Sequence, residues 1–393
     1  MKSPGAALPE APGASSAPGV FMACVFLLVA IGSVIVFSAS AFHWSVGGDS
    51  TFFLRRQLAW IPIALLACWF FRSLDYGILA KRYWHSLAAS LVLLGLVLIV
   101  GREVNASKRW IHFGALQFQP SELAKIAVII FTAGFLSNDP SRARSFVRGF
   151  LPVCGVLLPV FALILVEPDL GTALFVLVLG LSILLVAGAK LLYFGACLVI
   201  FAPLLAVFIH LRWETVHTRL LGFLEPGKIY QVKHSLTALG SGGVTGLGLG
   251  AGGQKLSFLP EPHTDFVLAI LGEELGFVGC AVVVLLFIAL LWSGLRIAWR
   301  ASDLFGFLVA SGIVIGIAFQ AVLNMAVVTA SAPTKGIPLP FLTFGGSGLC
   351  MTLIQVGILL SIARGAGGIH HGDTAARRGE EAGGGAGGGA GAG

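Results

Sequence analysis

Long apolar runs alternate with short polar connections along most of this chain. A helix needs roughly 20 apolar residues to cross the hydrocarbon core of a bilayer. Ten candidate helices fit this length, at about 20–42, 56–72, 84–100, 121–137, 150–166, 171–189, 191–211, 266–295, 304–330 and 342–363. The pattern therefore predicts an all-α polytopic membrane protein with about ten transmembrane helices.

The polar segments divide the chain around one transmembrane domain at 20–363. Residues 1–19 are rich in Pro, Ala and Ser, and residues 364–393 end in GGGAGGGAGAG. Such compositions cannot bury enough apolar surface to fold, so we predict that both segments are disordered. A polar stretch at about 212–265 predicts one large extracytoplasmic loop between helices 7 and 8.

Composition supports a membrane protein and excludes several functions. The 393 residues are 57% hydrophobic and 11% charged, with a mean hydropathy of +0.93. Soluble domains carry about 25% charged residues. The net charge of +7 is spread over loops between apolar runs, so it does not indicate a nucleic-acid partner. The six cysteines lie inside apolar runs and form no CxxC pair, which favours small buried side chains.

An even number of helices places both termini on one side, and the basic residues favour the cytoplasm for that side only weakly. Many basic residues instead lie in two predicted outer loops, 101–120 and 212–264. Cations that oppose the topology rule indicate another task. We expect an anionic ligand on the outer face.

Charged residues inside or beside spans are costly and are by default functional or paired. Glu122 and Lys125 share one helix face, where they form either a structural ion pair or a ligand-facing pair. Asp169 follows Pro168 between two spans, and it either caps the next helix or lines a cavity. Asp265 precedes the apolar run FVLAILG, so it is a helix cap or a catalytic acid.

Glu273 and Glu274 follow Asp265 by about two helical turns, and hydrogen bonding within the bundle is the simpler interpretation of both. The nearby segment GSGGVTGLGLGAGG (240–253) formally contains GxGxxG, but it lacks the βαβ context of a dinucleotide site. A flexible or re-entrant loop is expected instead. Together with PLPFLTFGGSGL (338–349), it could approach a ligand through its backbone.

Several motifs follow one another in a characteristic order. They are KRWIHFG (108–114), QPSELAK (119–125), EPDLGT (167–172), RLLGFLEP (219–226), YQVKHSLTALGSGG (230–243), GLGLGAGGQKLSFLPEPHTDFVLAILGEELG (246–276), PTKG (333–336) and PFLTFGGSG (340–348). Together they resemble the SEDS family (shape, elongation, division, sporulation), whose branches include FtsW, RodA and SpoVE. EPD rather than QPD, and PTKG with its lysine, are most similar to the FtsW/SpoVE branch.

The resemblance implies a bacterial inner-membrane glycosyltransferase that polymerises lipid II into glycan strands, with both termini cytoplasmic. It implies a class B penicillin-binding protein as partner, alongside divisome or elongasome proteins. Asp265 matches the family's essential acid and is the expected general base. The residues expected to contact substrate are Lys108, Arg109, Glu122, Lys125, Asp169, Arg219, Gln254, Lys255, Glu261, His263, Thr264 and Lys335. A divalent cation, Mg²⁺ or Mn²⁺, could share the work at the diphosphate, and no organic cofactor is expected.

The chain departs from the family pattern at a few positions, including His234, Glu225, Phe344 and Gly348. These departures put a polar role of the 340–348 turn in doubt, not the family resemblance. Two other functions fit the sequence. Ten spans with a broken helix also suit a lipid II flippase, and a non-catalytic scaffold that recruits a transpeptidase is a third hypothesis.

Overall fold

The computed structural model describes residues 16–40, 52–104, 107–113, 116–225, 230–255 and 265–383. Its main helices are α1 (Ala17–Ser40), α2 (Phe52–Ser73), α3 (Gly77–Lys81), α4 (Tyr83–Val100), α5 (Pro120–Ser137), α6 (Leu151–Val166), α7 (Leu170–Val186), α8 (Phe194–Leu211), α9 (Trp213–Leu224), α10 (Tyr230–Gly242), α11 (Val267–Trp299), α12 (Leu304–Val328) and α13 (Gly346–Gly383). Three short strands are β1 (Arg102–Val104), β2 (Ser107–Phe113) and β3 (Leu116–Phe118).

The predicted spans correspond to helices in the described part of the chain. Nine of these helices are long and apolar enough to cross a membrane. The remaining predicted span, at about 171–189, corresponds to α7, whose 17 residues are at the short end of the spanning range. The prediction of an all-α polytopic membrane protein is therefore confirmed.

The spanning helices differ widely in how much of their surface other helices cover. In α5, 83% of the apolar window is buried within the protein, whereas the span that includes α8 is only 11% buried. α5 packs against α4, α7 and α12, while α8 packs mainly on α6. The bundle therefore has a dense centre around α5 and a thinly packed wall at α8.

A three-stranded antiparallel sheet follows α4, in a segment that the sequence predicts as an outer loop. β2 lies in the middle, with Arg102 opposite Trp110 and Ile111 opposite Phe118. The described part of the long connection between α8 and α11 contains two helices, α9 and α10. We call the end of the bundle that carries the sheet, α9 and α10 the sheet end.

Helix α11 is broken at Gly276, where φ is 65°. A backbone in this region suits glycine, which has no Cβ to collide with its own carbonyl. The glycine-rich segment packs its backbone into the break: the Leu247 and Gly248 N–H groups donate to the carbonyls of Glu273 and Glu274 at 3.0 Å each. The expected re-entrant loop thus approaches a helix backbone, and these described glycine-loop bonds go to protein rather than to a ligand.

The last helix is longer than the sequence suggests. α13 continues to Gly383, although composition predicts a disordered segment after Arg364. The stretch TAARRGEEA (374–382) contains alanine, arginine and glutamate, which are strong helix formers and outweigh its single glycine. The terminal GGGAGGGAGAG and residues 1–15 lie outside the described residues, apart from Gly383.

Candidate active site

A cavity of about 320 Å³ lies at the sheet end, between β2, the α6–α7 turn, the α8–α9 pair and residues 333–335. Its lining includes apolar side chains from Leu170, Leu174, Phe208, Val216 and Leu220. It also includes four cations, Arg109, Arg212, Arg219 and Lys335. The cavity therefore suits a ligand with an anionic head and an apolar tail.

Arg109 is held by the turn that links α6 to α7. Its guanidinium donates to the carbonyl of Glu167 at 3.1 Å and to that of Pro168, and it lies 3.7 Å from the Asp169 carboxylate. Because successive strand residues point to opposite faces, Arg109 faces the cavity and Lys108 does not. Lys108 is exposed and is not among the residues that line the cavity. Its predicted contact with substrate finds no support in this arrangement.

Asp169 caps α7, as one of its two interpretations predicts. Its Oδ1 accepts a hydrogen bond from the Thr172 N–H at 3.0 Å, and its Oδ2 faces Arg109. The carboxylate is mostly buried and does not line the cavity. Asp169 therefore orients Arg109 from outside the cavity lining.

Arg219 and Lys335 add positive charge to the cavity. Burial lowers the pKa of Arg219 and Arg109 lowers it further, whereas Asp169 and Asp265 oppose the shift. Burial also lowers the pKa of Lys335, with Arg219 as the second cause. These cations thus destabilise one another's charge, and an anionic ligand would relieve that repulsion.

Asp265 lies just before α11, next to the segment that carries Lys335. The Asn324 amide donates to the Asp265 carbonyl and to the Ile337 carbonyl, both at 2.9 Å, and so ties the two segments together. The Asp265 Oδ2 lies 3.4 Å from the point that a Cβ would occupy at Gly336. α11 begins after Phe266 without a side-chain cap hydrogen bond. The N-cap position is therefore occupied by Phe266 and not by Asp265.

Glu122 and Lys125 form a buried ion pair, with 2.7 Å between Oε2 and Nζ. The Lys125 ammonium also donates to the Gln320 side chain at 3.2 Å. Both members of the pair line a polar cavity of about 20 Å³, together with Gly336. The two interpretations of this pair are compatible, because it is a structural pair that also lines a small cavity beside Asp265.

Gln254 and Lys255 face the protein interior and not the cavity. Lys255 is buried, and its ammonium lies 2.6 Å from the Glu274 carboxylate. Gln254 bonds to the His234 ring at 2.7 Å, and its N–H donates to Glu273. In this arrangement both residues are bonded to other parts of the protein, and their contact with substrate stays a prediction. Bonding of Glu273 and Glu274 within the bundle is what the structure shows.

Three predicted site residues, Glu261, His263 and Thr264, lie outside the described residues. Conversely, the sequence reasoning missed Gln320 and Asn324, which contact the site from α12. Both are polar residues four apart in an otherwise apolar span, and that pattern could have identified them. It also missed Arg212, a loop cation that lines the cavity.

The described residues contain no group of three His, Cys, Asp or Glu side chains able to hold a metal ion. They therefore do not form a protein cage for Mg²⁺ or Mn²⁺, and we derive no step through such an ion. Mg²⁺ is often held by one or two carboxylates together with substrate phosphates. A divalent cation accordingly stays a prediction.

Comparison with known proteins places this geometry in context. Residues 19–367 match the FtsW/RodA/SpoVE cell cycle protein family. Stage V sporulation protein E of Bacillus subtilis is 41% identical over 349 residues, which cover 86% of this chain and 94% of that protein. A probable peptidoglycan glycosyltransferase FtsW of Trichlorobacter lovleyi is 39% identical over 364 residues, covering 88% and 93%.

Solved structures agree with these sequence relatives. The rod shape determining protein RodA of Thermus thermophilus superimposes with a TM-score of 0.65 at 30% identity, covering 88% of this chain and 95% of that one. A chain from a peptidoglycan synthase complex, described for its coordination of polymerization and crosslinking, gives 0.71 at 30% identity, covering 88% and 97%. By sequence and by fold, this chain belongs to the FtsW/RodA/SpoVE family of membrane proteins.

Proposed function

We propose that this protein is a peptidoglycan glycosyltransferase that polymerises lipid II into glycan strands and releases undecaprenyl diphosphate. The observation that carries the proposal is the position of Asp265 close to Arg219, which lines a cavity with both basic and apolar side chains. Relatives with names that state this activity cover most of the chain. We assign it to the FtsW/SpoVE branch, in cell division.

The reaction joins the 4-hydroxyl of an acceptor GlcNAc to the anomeric carbon of a donor MurNAc. Asp265 accepts the hydroxyl proton as the new C–O bond forms and the bond to the diphosphate breaks. A single displacement converts the α-linked donor into a β-1,4 product. An ordinary aspartate is a weak base, with a pKa near 3.9, so the position of Asp265 against the hydroxyl matters as much as its basicity.

Arg109, Arg219 and Lys335 are the groups that stabilise the diphosphate, on which negative charge develops during the reaction. Their charges are already fixed in place, so little reorganisation is needed at the moment of bond cleavage. The polyprenyl chain lies against apolar side chains of the cavity lining, Leu174 and Leu220. This arrangement explains why a reaction on sugars takes place at the depth of a membrane.

The proposed function also implies an orientation in the membrane and a protein partner. The sheet end faces the outside of a bacterial cytoplasmic membrane, where lipid II is polymerised, and both termini lie in the cytoplasm. The partner is a class B penicillin-binding protein, a transpeptidase that crosslinks the strands. One of the solved relatives comes from a synthase complex described by polymerization together with crosslinking, which supports such a pairing.

The test uses the full chain purified with its class B penicillin-binding protein and supplied with lipid II. Asp265→Ala and Asp265→Asn should abolish the polymer that a gel resolves, since neither side chain can accept the proton. Lys108→Ala is the matched control, because Lys108 is a charged residue of the same end that does not line the cavity. Undiminished polymer from Asp265→Ala would rule out the base assignment.

A lipid II flippase is the second candidate, since broken helices are typical of transporters and α11 is broken at Gly276. The two functions separate cleanly by experiment. An enzyme makes polymer from lipid II presented in detergent, whereas a flippase moves lipid II across a vesicle membrane without making polymer. Polymer formed both with Asp265→Ala and with the penicillin-binding protein alone would instead favour a scaffold and a contaminating polymerase.

A further inference from the structure

A second buried lysine lies near the candidate site, and the proposed reaction does not use it. The Lys255 side chain is fully buried, as is that of its partner Glu274. Its ammonium donates to the Glu274 carboxylate at 2.6 Å and to the Ser38 hydroxyl at 2.9 Å. The same hydroxyl donates to Glu274 at 2.5 Å. Lys255 thus joins the end of the glycine-rich segment to α1 and to α11.

Glu273 holds the same stretch of chain by its backbone. Its carboxylate accepts hydrogen bonds from the Gly253 N–H at 2.7 Å and from the Gln254 N–H at 3.1 Å. Two adjacent glutamates therefore hold three consecutive residues, one through backbone donors and one through a charged side chain. Such a set of bonds fixes both the position and the direction of the chain at residue 255.

One short helical segment connects these two glutamates with Asp265: the glutamates lie near its C-terminal end, and Asp265 directly precedes its N-terminal end. Residues 267–275 precede the break at Gly276, and we call them the half-helix. Asp265 and Glu274 are nine residues apart, which is roughly 13 Å along a helix axis. Lys255 contacts the C-terminal end of the half-helix, and Asp265 lies at its N-terminal end. Asn324 fixes that N-terminal end through the Asp265 carbonyl.

We propose that Lys255 is a positioning residue for Asp265. Its ammonium fixes the glycine-rich segment to the half-helix, and this contact sets the position of the half-helix and of Asp265, which directly precedes it. The proposal rests on the role of Asp265 as the general base. Loss of the lysine leaves Glu274 buried without its cation, and the contact between the segment and the half-helix has to rearrange.

This role differs from substrate binding in a measurable way. Because no part of the Lys255 side chain is exposed, it cannot contact lipid II in this arrangement. Its removal should therefore leave KM for lipid II within about twofold and lower kcat, since a displacement of about 1 Å at a reacting group can cost 100-fold in rate. A substrate-binding lysine would raise KM instead.

The experiment compares variants of the full chain in its complex with the penicillin-binding protein. Lys255→Met breaks the pair, and Lys255→Met with Glu274→Gln replaces it by two neutral side chains. Glu273→Gln weakens the backbone contact without leaving a buried unpaired charge, so it tests the idea even if Lys255→Met does not fold. Leu157→Ala, a buried change on α6, is the control for a general loss of stability. We measure kcat and KM for lipid II and the melting temperature of each.

We expect Lys255→Met to lower kcat at least tenfold and Glu273→Gln to lower it about threefold. The double variant should recover stability but not kcat, because it restores charge balance without restoring the bonds that the ammonium makes. Leu157→Ala should lower the melting temperature with kcat unchanged. A raised KM, or a kcat that stays at the parent value in Lys255→Met and Glu273→Gln, overturns the proposal. Asp265→Ala is assayed in parallel: if it is active, the base assignment fails, and if it is inactive, the outcome for Lys255 concerns positioning alone.

Discussion

The protein holds two kinds of lysine and arginine, and their surroundings differ sharply. Lys125 and Lys255 each lie within 2.7 Å of a glutamate carboxylate in the interior. Arg219 and Lys335 line the cavity, where burial and neighbouring cations lower their pKa values. A compensated buried charge is a structural element, whereas cations crowded around a cavity indicate a place for an anion. Charge compensation, more than residue type, separates scaffold from site.

The first prediction concerns the compensated charges. Lys125→Met leaves Glu122 buried without its partner, and breaking such a pair costs about 3–5 kcal/mol of folding free energy. The double variant Lys125→Met/Glu122→Gln should recover most of that loss. Thermal unfolding in detergent measures both. If Lys125→Met unfolds at the same temperature as the parent, the Lys125–Glu122 pair is not a structural element.

The second prediction concerns the cavity cations. Lys335→Met and Arg219→Met should each lower polymerisation 10- to 100-fold, about 1.4–2.7 kcal/mol of transition-state stabilisation. Stability should stay level or rise slightly, since each change removes like-charge repulsion. Initial rates with lipid II test the expected loss of activity, and melting temperatures test the expected stability. Full activity with reduced stability would place these residues in the scaffold class.

The third prediction uses Glu167, which is fully buried with no hydrogen-bond partner for either carboxylate oxygen among the described residues. Burial, with Asp169 as the second cause, raises the pKa of Glu167 to about 8 against the opposing effect of Arg109. The folded state therefore holds a proton that the unfolded state loses. Stability contributed by this proton is fully present below about pH 4.5 and is lost as pH rises through about 8.

Glu167→Gln keeps the shape of the side chain and removes the titration. Its free energy of unfolding, measured by denaturant titration at a series of pH values, should match that of the parent near pH 4.5 and exceed it increasingly up to about pH 8, by on the order of 1–3 kcal/mol. A constant difference across this range would show that Glu167 is ionised in the fold. In that case Glu167 carries a charge and Arg109 compensates it.

The smallest expected effect belongs to Lys108, which is exposed on the face of β2 opposite Arg109. Lys108→Ala should stay within about twofold of the parent in polymerisation, because a surface cation outside the cavity loses little. Arg109→Ala in the same assay should lose considerably more. Equal losses would mean that the strand presents both residues to the ligand.

Much of the fold could be predicted, because a 20-residue apolar run has few options other than a spanning helix. The break at Gly276 could not, since a glycine in an apolar helix gives no local sign that a distant segment will pair with its backbone. Asp265 and Lys335 came from motif resemblance, and the structure places them on adjacent segments. The burial of Lys255 could not be predicted, because a lysine in a polar loop usually faces water. Only the fold shows that it pairs with Glu274 of α11.

The alternation of Lys108 and Arg109 was readable in principle. A strand over 107–113 directs one residue to the cavity and the other away, but a short polar segment between two spans predicts a loop. Gln320 and Asn324 carried a clearer sign, since amides inside an apolar span rarely lack a partner. Polar residues that recur every four positions in a span therefore identify the helix face nearest the site.

The pairing of the glycine-rich segment with the break in α11 also sets how this region moves. Backbone hydrogen bonds that join Leu247 and Gly248 to the half-helix must open when either element opens. Amide hydrogen exchange should therefore report one cooperative unit for residues 243–255 and 267–278, with a common opening free energy. The surroundings of the base would then fluctuate as one small folding unit inside a larger one.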